Sequence, residues 1–186
     1  MKKALFLDFE DSFSFNIIQE LILLGLEVDV ILWSDFTDIS HYDLLVLGPG
    51  PGHPDDYQII FSKIESCLNQ KVKIFAICLG HQIIWRIKGK LIYRSKFPLH
   101  GQKTRLELTQ SWQDYFKLPQ IVWVQRYNSL AVSALDLQLE GFDFFIKDDE
   151  IVISKSKDLL TYQFHPESVG TNCRESFFRP ILTNLL

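Results

Sequence analysis

Three short stretches carry the side chains with which this chain could do covalent chemistry. Cys78 follows the apolar, partly β-branched run Val72 to Ile77 and precedes helix formers from His81 to Lys88, with an apolar stripe at Ile83, Ile84 and Ile87. A strand that turns abruptly into a helix presents its junction residue on a tight bend, at the carboxyl edge of the sheet and facing the helix amides. Gly80 suits that bend because it lacks Cβ. A thiol placed there can act as a nucleophile, although the position also suits a small buried hydrophobe. The second stretch is Gln163-Phe164-His165-Pro166-Glu167-Ser168. Pro166 keeps His165 out of the helical region, and extended backbone would set His165 and Glu167 on one side, about 6.6 Å apart. An imidazole so placed can take a proton from a thiol, while the carboxylate fixes its tautomer and stabilises the imidazolium. The third stretch, Gly48 to Asp56, reads GPGPGHPDD and can be neither helix nor strand. It fits a tight turn or a loop offering bare amide groups to an anion. It lacks the Lys-Ser/Thr ending of a nucleotide phosphate loop, so a triphosphate is not expected there.

The elements needed to position these residues can be read in order. Lys3 to Leu7 reads as a strand, and Ser12 to Leu24 as a helix with Phe13, Ile17, Leu21 and Leu24 on one face, stopped by Gly25. Val28 to Trp33 and His41 to Leu47 supply two more strands, and Tyr57 to Leu68 an amphipathic helix before the strand that ends at Cys78. Alternation of this length implies parallel strands joined by right-handed crossovers. After Lys90 the pattern changes to short strands at Leu91 to Tyr93, Lys103 to Thr109, Ile121 to Gln125, Phe142 to Lys147, Ile151 to Ser154 and Leu160 to Phe164. Short strands with polar joints usually pair antiparallel, so the second half extends or covers the first sheet. Phe177 to Leu186 reads as a closing helix in which Pro180 marks a break or a first turn. The expected fold is α/β, a mostly parallel central sheet flanked by helices with an antiparallel second-half extension, in one domain over residues 1–186.

Composition bounds the function. With 47% hydrophobic and 23% charged residues the chain is ordinary globular protein, which removes disordered and fibrous readings. A net charge of −4 without acidic or basic blocks argues against nucleic acid as a ligand. The amino-terminal apolar run, Ala4 to Leu7, is broken by Asp8, which fits neither a signal peptide nor a membrane span. Three cysteines, at 67, 78 and 173, give an odd count without paired spacing, so neither a disulfide framework nor a zinc site is indicated and a reducing cytoplasm is expected. Cys67 and Cys173 read as incidental thiols.

Taken together, DFEDSF at 8–13, GPGPGHP at 48–54, ICLGHQ at 77–82 and QFHPES at 163–168 resemble the class I (triad) glutamine amidotransferases. The short chain and the first motif look most like the small subunits, component II, of the anthranilate synthase and aminodeoxychorismate synthase group, the latter serving para-aminobenzoate. The resemblance implies a flavodoxin-like fold and a Cys78-His165-Glu167 triad. Cys78 would attack the side-chain amide of L-glutamine, release ammonia and leave a glutamyl thioester for water. The ammonia would pass to a separate chorismate-using synthase subunit, component I, with no metal or cofactor required. The backbone amides of Gly50 and Leu79 match the family's oxyanion hole. Gly52, Gln82, Ser129 and Leu130 match its substrate contacts. His53, His81 and His100 match no catalytic position. The chain departs from the pattern at Asn128, where His is usual, at His53, where Thr is usual, at Phe9-Glu10, where Asn-Tyr is usual, and in the extra Gln102 after His100-Gly101. Other readings of the same residues are a catalytically silent regulatory subunit and a hydrolase of other γ-glutamyl compounds.

Overall fold

A computed structural model describes residues 1–137 and 139–186. Its centre is built from runs that are apolar at every position, because their strands are covered on both faces. β1 (Lys3–Asp8), α1 (Ser14–Leu23), β2 (Glu27–Leu32) and β3 (Leu44–Leu47) open the chain, followed by α2 (Phe61–Asn69), β4 (Lys73–Ile77) and α3 (Leu79–Ile87). The second half contains β5 (Ile92–Arg94), β6 (Gln102–Glu107), α4 (Gln110–Phe116), β7 (Ile121–Arg126), β8 (Leu130–Val132), β9 (Asp143–Lys147), β10 (Glu150–Lys155), β11 (Leu159–Tyr162) and α5 (Arg174–Phe178). Seven strands form the main sheet in the order β2-β1-β3-β4-β11-β10-β9, while β5-β8 and β6-β7 form two small antiparallel ribbons. The parallel α/β sheet with an antiparallel extension agrees with the expectation. No helix among the described residues is long and apolar enough to cross a membrane.

Alternate residues of the strands face two cores. Ala4, Phe6, Val46, Phe75, Ile77 and Tyr162 face α1, α4 and α5, meeting Ile17, Trp112, Phe116 and Phe177. Leu5, Leu7, Leu47, Ile74 and Ala76 face α2 and α3, meeting Ile64, Ile83 and Trp85. Full burial of such a side chain stabilises the fold by about 1.5–3 kcal/mol, so the sheet is the rigid frame on which the loops at its carboxyl edge are held.

Several boundaries depart from the sequence reading, and one departure matters for the site. β11 was expected to pair antiparallel with its neighbours; it does so with β10, but it lies parallel to β4 in the register Leu159↔Ile74 to Tyr162↔Ile77. The crossover from β4 to β11 spans the whole second half, so local spacing could not disclose it. The strand also stops at Tyr162 rather than Phe164. The helix expected from Tyr57 starts as a 3₁₀ turn, Pro54–Ile60, before α2. α4 and β8 were not foreseen: α4 has the i, i+4 pair Trp112 and Phe116, both buried, and β8 has only three residues. The closing helix is split at Pro180 into α5 and a single π turn, Ile181–Leu185.

Candidate active site

β1, β3, β4 and β11 run parallel, so their carboxyl ends lie along one edge, where open α/β sheets bind ligands. Cys78 is the junction of β4 and α3, with φ 52° and ψ −103°, a conformation that non-glycine residues rarely hold. Hydrogen bonds on both sides keep it there: its N–H donates to the Tyr162 carbonyl at 2.8 Å, and its own carbonyl accepts from the Gln82 N–H at 3.0 Å. Gly80 is required next to it, because a Cβ there would lie 2.4 Å from the Leu47 carbonyl oxygen. The Gly80 N–H donates to the Gly48 carbonyl at 3.1 Å, which ties the bend to the glycine-proline loop.

The loop is fixed from the other side as well. Asp56 accepts from the His53 N–H at 2.7 Å, and His53 Nδ1 accepts from the Asp55 N–H at 3.1 Å. His53 thus caps the following turn, a role the shorter Thr side chain can also fill. Asp55 pairs with Arg86 of α3 at 2.7 Å, and this guanidinium holds the Asp55 carboxyl below its usual range. Tyr57 closes the loop by donating to the Pro51 carbonyl at 2.9 Å.

His165 is buried, its Nδ1 2.5 Å from Glu167 Oε1. The connection between them is a turn rather than extended backbone: the Ser168 N–H donates to the His165 carbonyl at 3.3 Å. The expected pairing of the two side chains is therefore reached by a different backbone path, which an isolated His-Pro-Glu cannot specify. The ring lies between Phe13, 5.1 Å away, and Tyr127, 5.0 Å away and edge-on. Burial alone would favour neutral imidazole. The neighbouring Cys78 sulfur and the Glu167 carboxylate outweigh it, and they hold the His165 pKa well above its ordinary value. With Nδ1 on Glu167, Nε2 is the nitrogen left for the thiol.

A cleft of about 150 Å³ opens beside Cys78, bounded by Gly50, Gly52, Gln82, Asn128, Ser129 and Leu130. The structure thus gathers Cys78 and every residue read as a substrate contact around one cavity, with the Gly50 backbone on its wall. Leu79 follows Cys78 at the start of α3, and the His165 ring lies 5.0 Å from that of Tyr127, which also lines the cleft. Gln82 is buried, not the exposed helix residue its polarity suggests; its Nε2 donates to the Leu130 carbonyl at 3.0 Å and to Gln163 Oε1 at 3.1 Å. Asn128 bridges inward, taking a hydrogen bond from Arg126 Nε at 3.0 Å and donating to the Leu130 carbonyl at 2.9 Å. A larger cleft of about 670 Å³ between α1 and α5 includes Cys173 but no histidine, so volume does not mark the chemistry here.

The family whose sequence pattern matches residues 5–184 is described as Glutamine amidotransferase class-I. The chain belongs to the class I glutamine amidotransferases. A relative in Helicobacter pylori named "Anthranilate synthase component 2" is 35% identical over 91% of this chain and 90% of its own. Another, "Aminodeoxychorismate/anthranilate synthase component 2" of Bacillus subtilis, is 32% identical over 98% and 94%. Among solved structures, a glutamine amidotransferase from Thermotoga maritima superposes with TM-score 0.73 at 18% identity, over 89% of this chain and 76% of that one, and supports the fold. The protein is a glutamine amidotransferase enzyme, and the cleft beside Cys78 is its candidate active site.

Two features of this amidotransferase were not assigned a role from the sequence. His81 is fully buried between Thr161 Oγ1, 2.7 Å from Nδ1, and the Ile151 carbonyl, 3.1 Å from Nε2; burial pushes its pKa down to about 3. It is a neutral, structural histidine. Arg126 and Glu150 form a buried ion pair at 2.5 Å, with Ser95 also donating to Glu150. That pair anchors Asn128, and through it one wall of the cleft. A polar residue at an inward strand position was the available signal, but its partner is far away in sequence.

Proposed function

We propose that the chain, acting as one domain over residues 1–186, hydrolyses L-glutamine through Cys78, His165 and Glu167. The observation that carries this reading is a cysteine held on a strained strand-to-helix bend beside a buried His165-Glu167 pair. His165 takes the thiol proton and Glu167 stabilises the resulting imidazolium. The sulfur attacks the amide carbon of glutamine, and the developing oxyanion is received by the N–H groups of Gly50 and Leu79. The first N–H groups of a helix have no intrahelical acceptor, which leaves the Leu79 amide free for this role. His165 returns its proton to the departing nitrogen, ammonia leaves, and a glutamyl thioester remains on Cys78. His165 then deprotonates water, which attacks the thioester and releases glutamate. Neither a metal nor a cofactor is needed for these steps. Gln82 and Gly52 contact the bound glutamine, and Ser129 and Leu130 hold its amino-acid end.

The ammonia is passed to a chorismate-using synthase subunit, giving anthranilate or 4-amino-4-deoxychorismate, and the complex works in the cytoplasm. Support for the partner comes from relatives named as second components of such synthases over nearly their whole length. Purified chain is incubated with glutamine, alone and with its synthase partner, and glutamate is assayed. Turnover in the parent, lost in Cys78→Ser at unchanged circular dichroism, is the expected result. A chain that makes no glutamate in either condition refutes the proposal.

A further inference from the structure

The parallel register that pairs Tyr162 with Ile77 puts the next residues, Gln163 and Cys78, side by side at the strand ends. Gln163 is completely buried. A buried amide has to place two donors and an acceptor among its neighbours. Its Oε1 faces Gln82 Nε2 at 3.1 Å, and its Nε2 faces Cys78 Sγ at 3.8 Å.

Which end of the Gln163 amide meets the sulfur follows from a backbone anchor. The Leu130 carbonyl can only accept, so the Gln82 atom 3.0 Å from it must be the NH₂ group. That same NH₂ also faces Gln163, so the Gln163 atom opposite must be oxygen. A flipped Gln163 would set NH₂ against NH₂. The remaining end, the Gln163 NH₂, is therefore directed at Sγ, and the orientation is forced through two amides from a main-chain carbonyl.

We propose that Gln163 is a further catalytic residue, whose side-chain amide, oriented by Gln82, donates a hydrogen bond to Cys78 Sγ and stabilises the attacking thiolate. The inference rests on Cys78 being the nucleophile. A hydrogen bond to the charged form favours that form, and charge strengthens the bond. The effect is specific to pH. A donor that lowers the thiol pKa raises the thiolate fraction at neutral pH, at the cost of some intrinsic nucleophilicity, which falls less steeply than the pKa. Removing it must therefore slow the reaction at low pH and leave it intact, or slightly faster, at high pH. Gln82 thereby serves twice, since it touches both the substrate cleft and the group that sets the nucleophile.

The test is the pH dependence of Cys78 alkylation by iodoacetamide, followed by mass spectrometry of the Cys78 peptide so that Cys67 and Cys173 do not contribute. Gln163→Met keeps the length of the side chain and removes the donor. Its alkylation midpoint should move up by about one pH unit, slowing Cys78 roughly tenfold near neutrality, with the parent rate recovered at high pH. Gln82→Met, which leaves Gln163 in place but unoriented, should move the midpoint in the same direction by less. The same acid-limb shift is expected in kcat/KM for glutamate release. A midpoint unchanged in folded Gln163→Met overturns the proposal, as does a rate lowered equally at every pH, which is the mark of a packing role. Should Gln163→Met fail to fold, an unchanged midpoint in Gln82→Met overturns it. If parent Cys78 reacts no faster than Cys173 at neutral pH and no glutamate is made, the nucleophile assignment falls as well. A reactive parent with unshifted variants removes Gln163 alone.

Discussion

Substituting Gly50 by alanine tests the oxyanion assignment through a clash that the structure specifies. A Cβ at position 50 would lie 2.5 Å from Leu79 Cδ2 and 2.5 Å from Phe9 Cβ. Leu79 Cδ2 is the end of a flexible side chain and can give way. Phe9 Cβ is one bond from the backbone and buried, so the loop itself must retreat. Carbon atoms rest at about 3.5–4.0 Å, so the retreat is roughly 1 Å. A hydrogen bond of about 2.9 Å stretched by that amount is no longer made. Loss of one oxyanion donor costs on the order of 3 kcal/mol of barrier, or 10²- to 10³-fold in kcat, while the overpacking costs about 1–3 kcal/mol of stability. Gly89→Ala is the control, because nothing lies within 4 Å of the added Cβ, although Gly89, unlike Gly50, has a positive φ of 78°. It should lose about 1 kcal/mol of stability through backbone strain alone and retain its turnover. Both variants are assayed for glutamate release in the presence of the synthase subunit, with thermal melts alongside. If folded Gly50→Ala turns over within about threefold of the parent, the Gly50 amide does not receive the oxyanion.

Glu167→Gln keeps the size of the side chain but removes the charge that helps raise the His165 pKa; kcat should fall roughly 10²- to 10⁴-fold, and a smaller change would exclude Glu167 as the orienting group. Acid unfolding carries a second signature. The His81 pKa is depressed to about 3 in the folded chain, so only the unfolded chain takes up this proton as the pH falls below about 6.5. The resulting loss is about 2 kcal/mol between pH 7 and pH 5. His165, with its raised pKa, contributes in the opposite sense: its stabilisation is complete below its unfolded pKa and fades as pH rises. The His81 contribution is therefore read from the difference between the parent and His81→Gln denaturation curves, and parallel curves across this window would refute it. Glu150→Gln breaks the buried pair with Arg126 and should cost about 3–5 kcal/mol in urea unfolding; a loss below about 1 kcal/mol would show that Arg126 finds another partner.

The alternation of strands and helices in the first half, the bend at Cys78 and the histidine-carboxylate pair were all legible in the sequence, because each rests on residues a few positions apart. Apolar runs buried on both faces and a glycine where strand meets helix constrain the backbone locally, whereas His165 and Glu167 meet across a turn that the proline between them does not specify. What only the tertiary structure decided was the meeting of the two ends. Val72–Ile77 and Leu160–Phe164 are equally good strands on paper, and nothing local says that they are parallel neighbours across more than eighty residues. Their register places His165 and Gln163 at Cys78. It also turns Gln82 and Asn128 from polar surface residues by type into buried members of one hydrogen-bonded wall. Side-chain type and spacing set which chemistry the chain could perform. The pairing of β4 with β11, a long-range choice made by the packing of two cores, set which residues meet at that edge of the sheet.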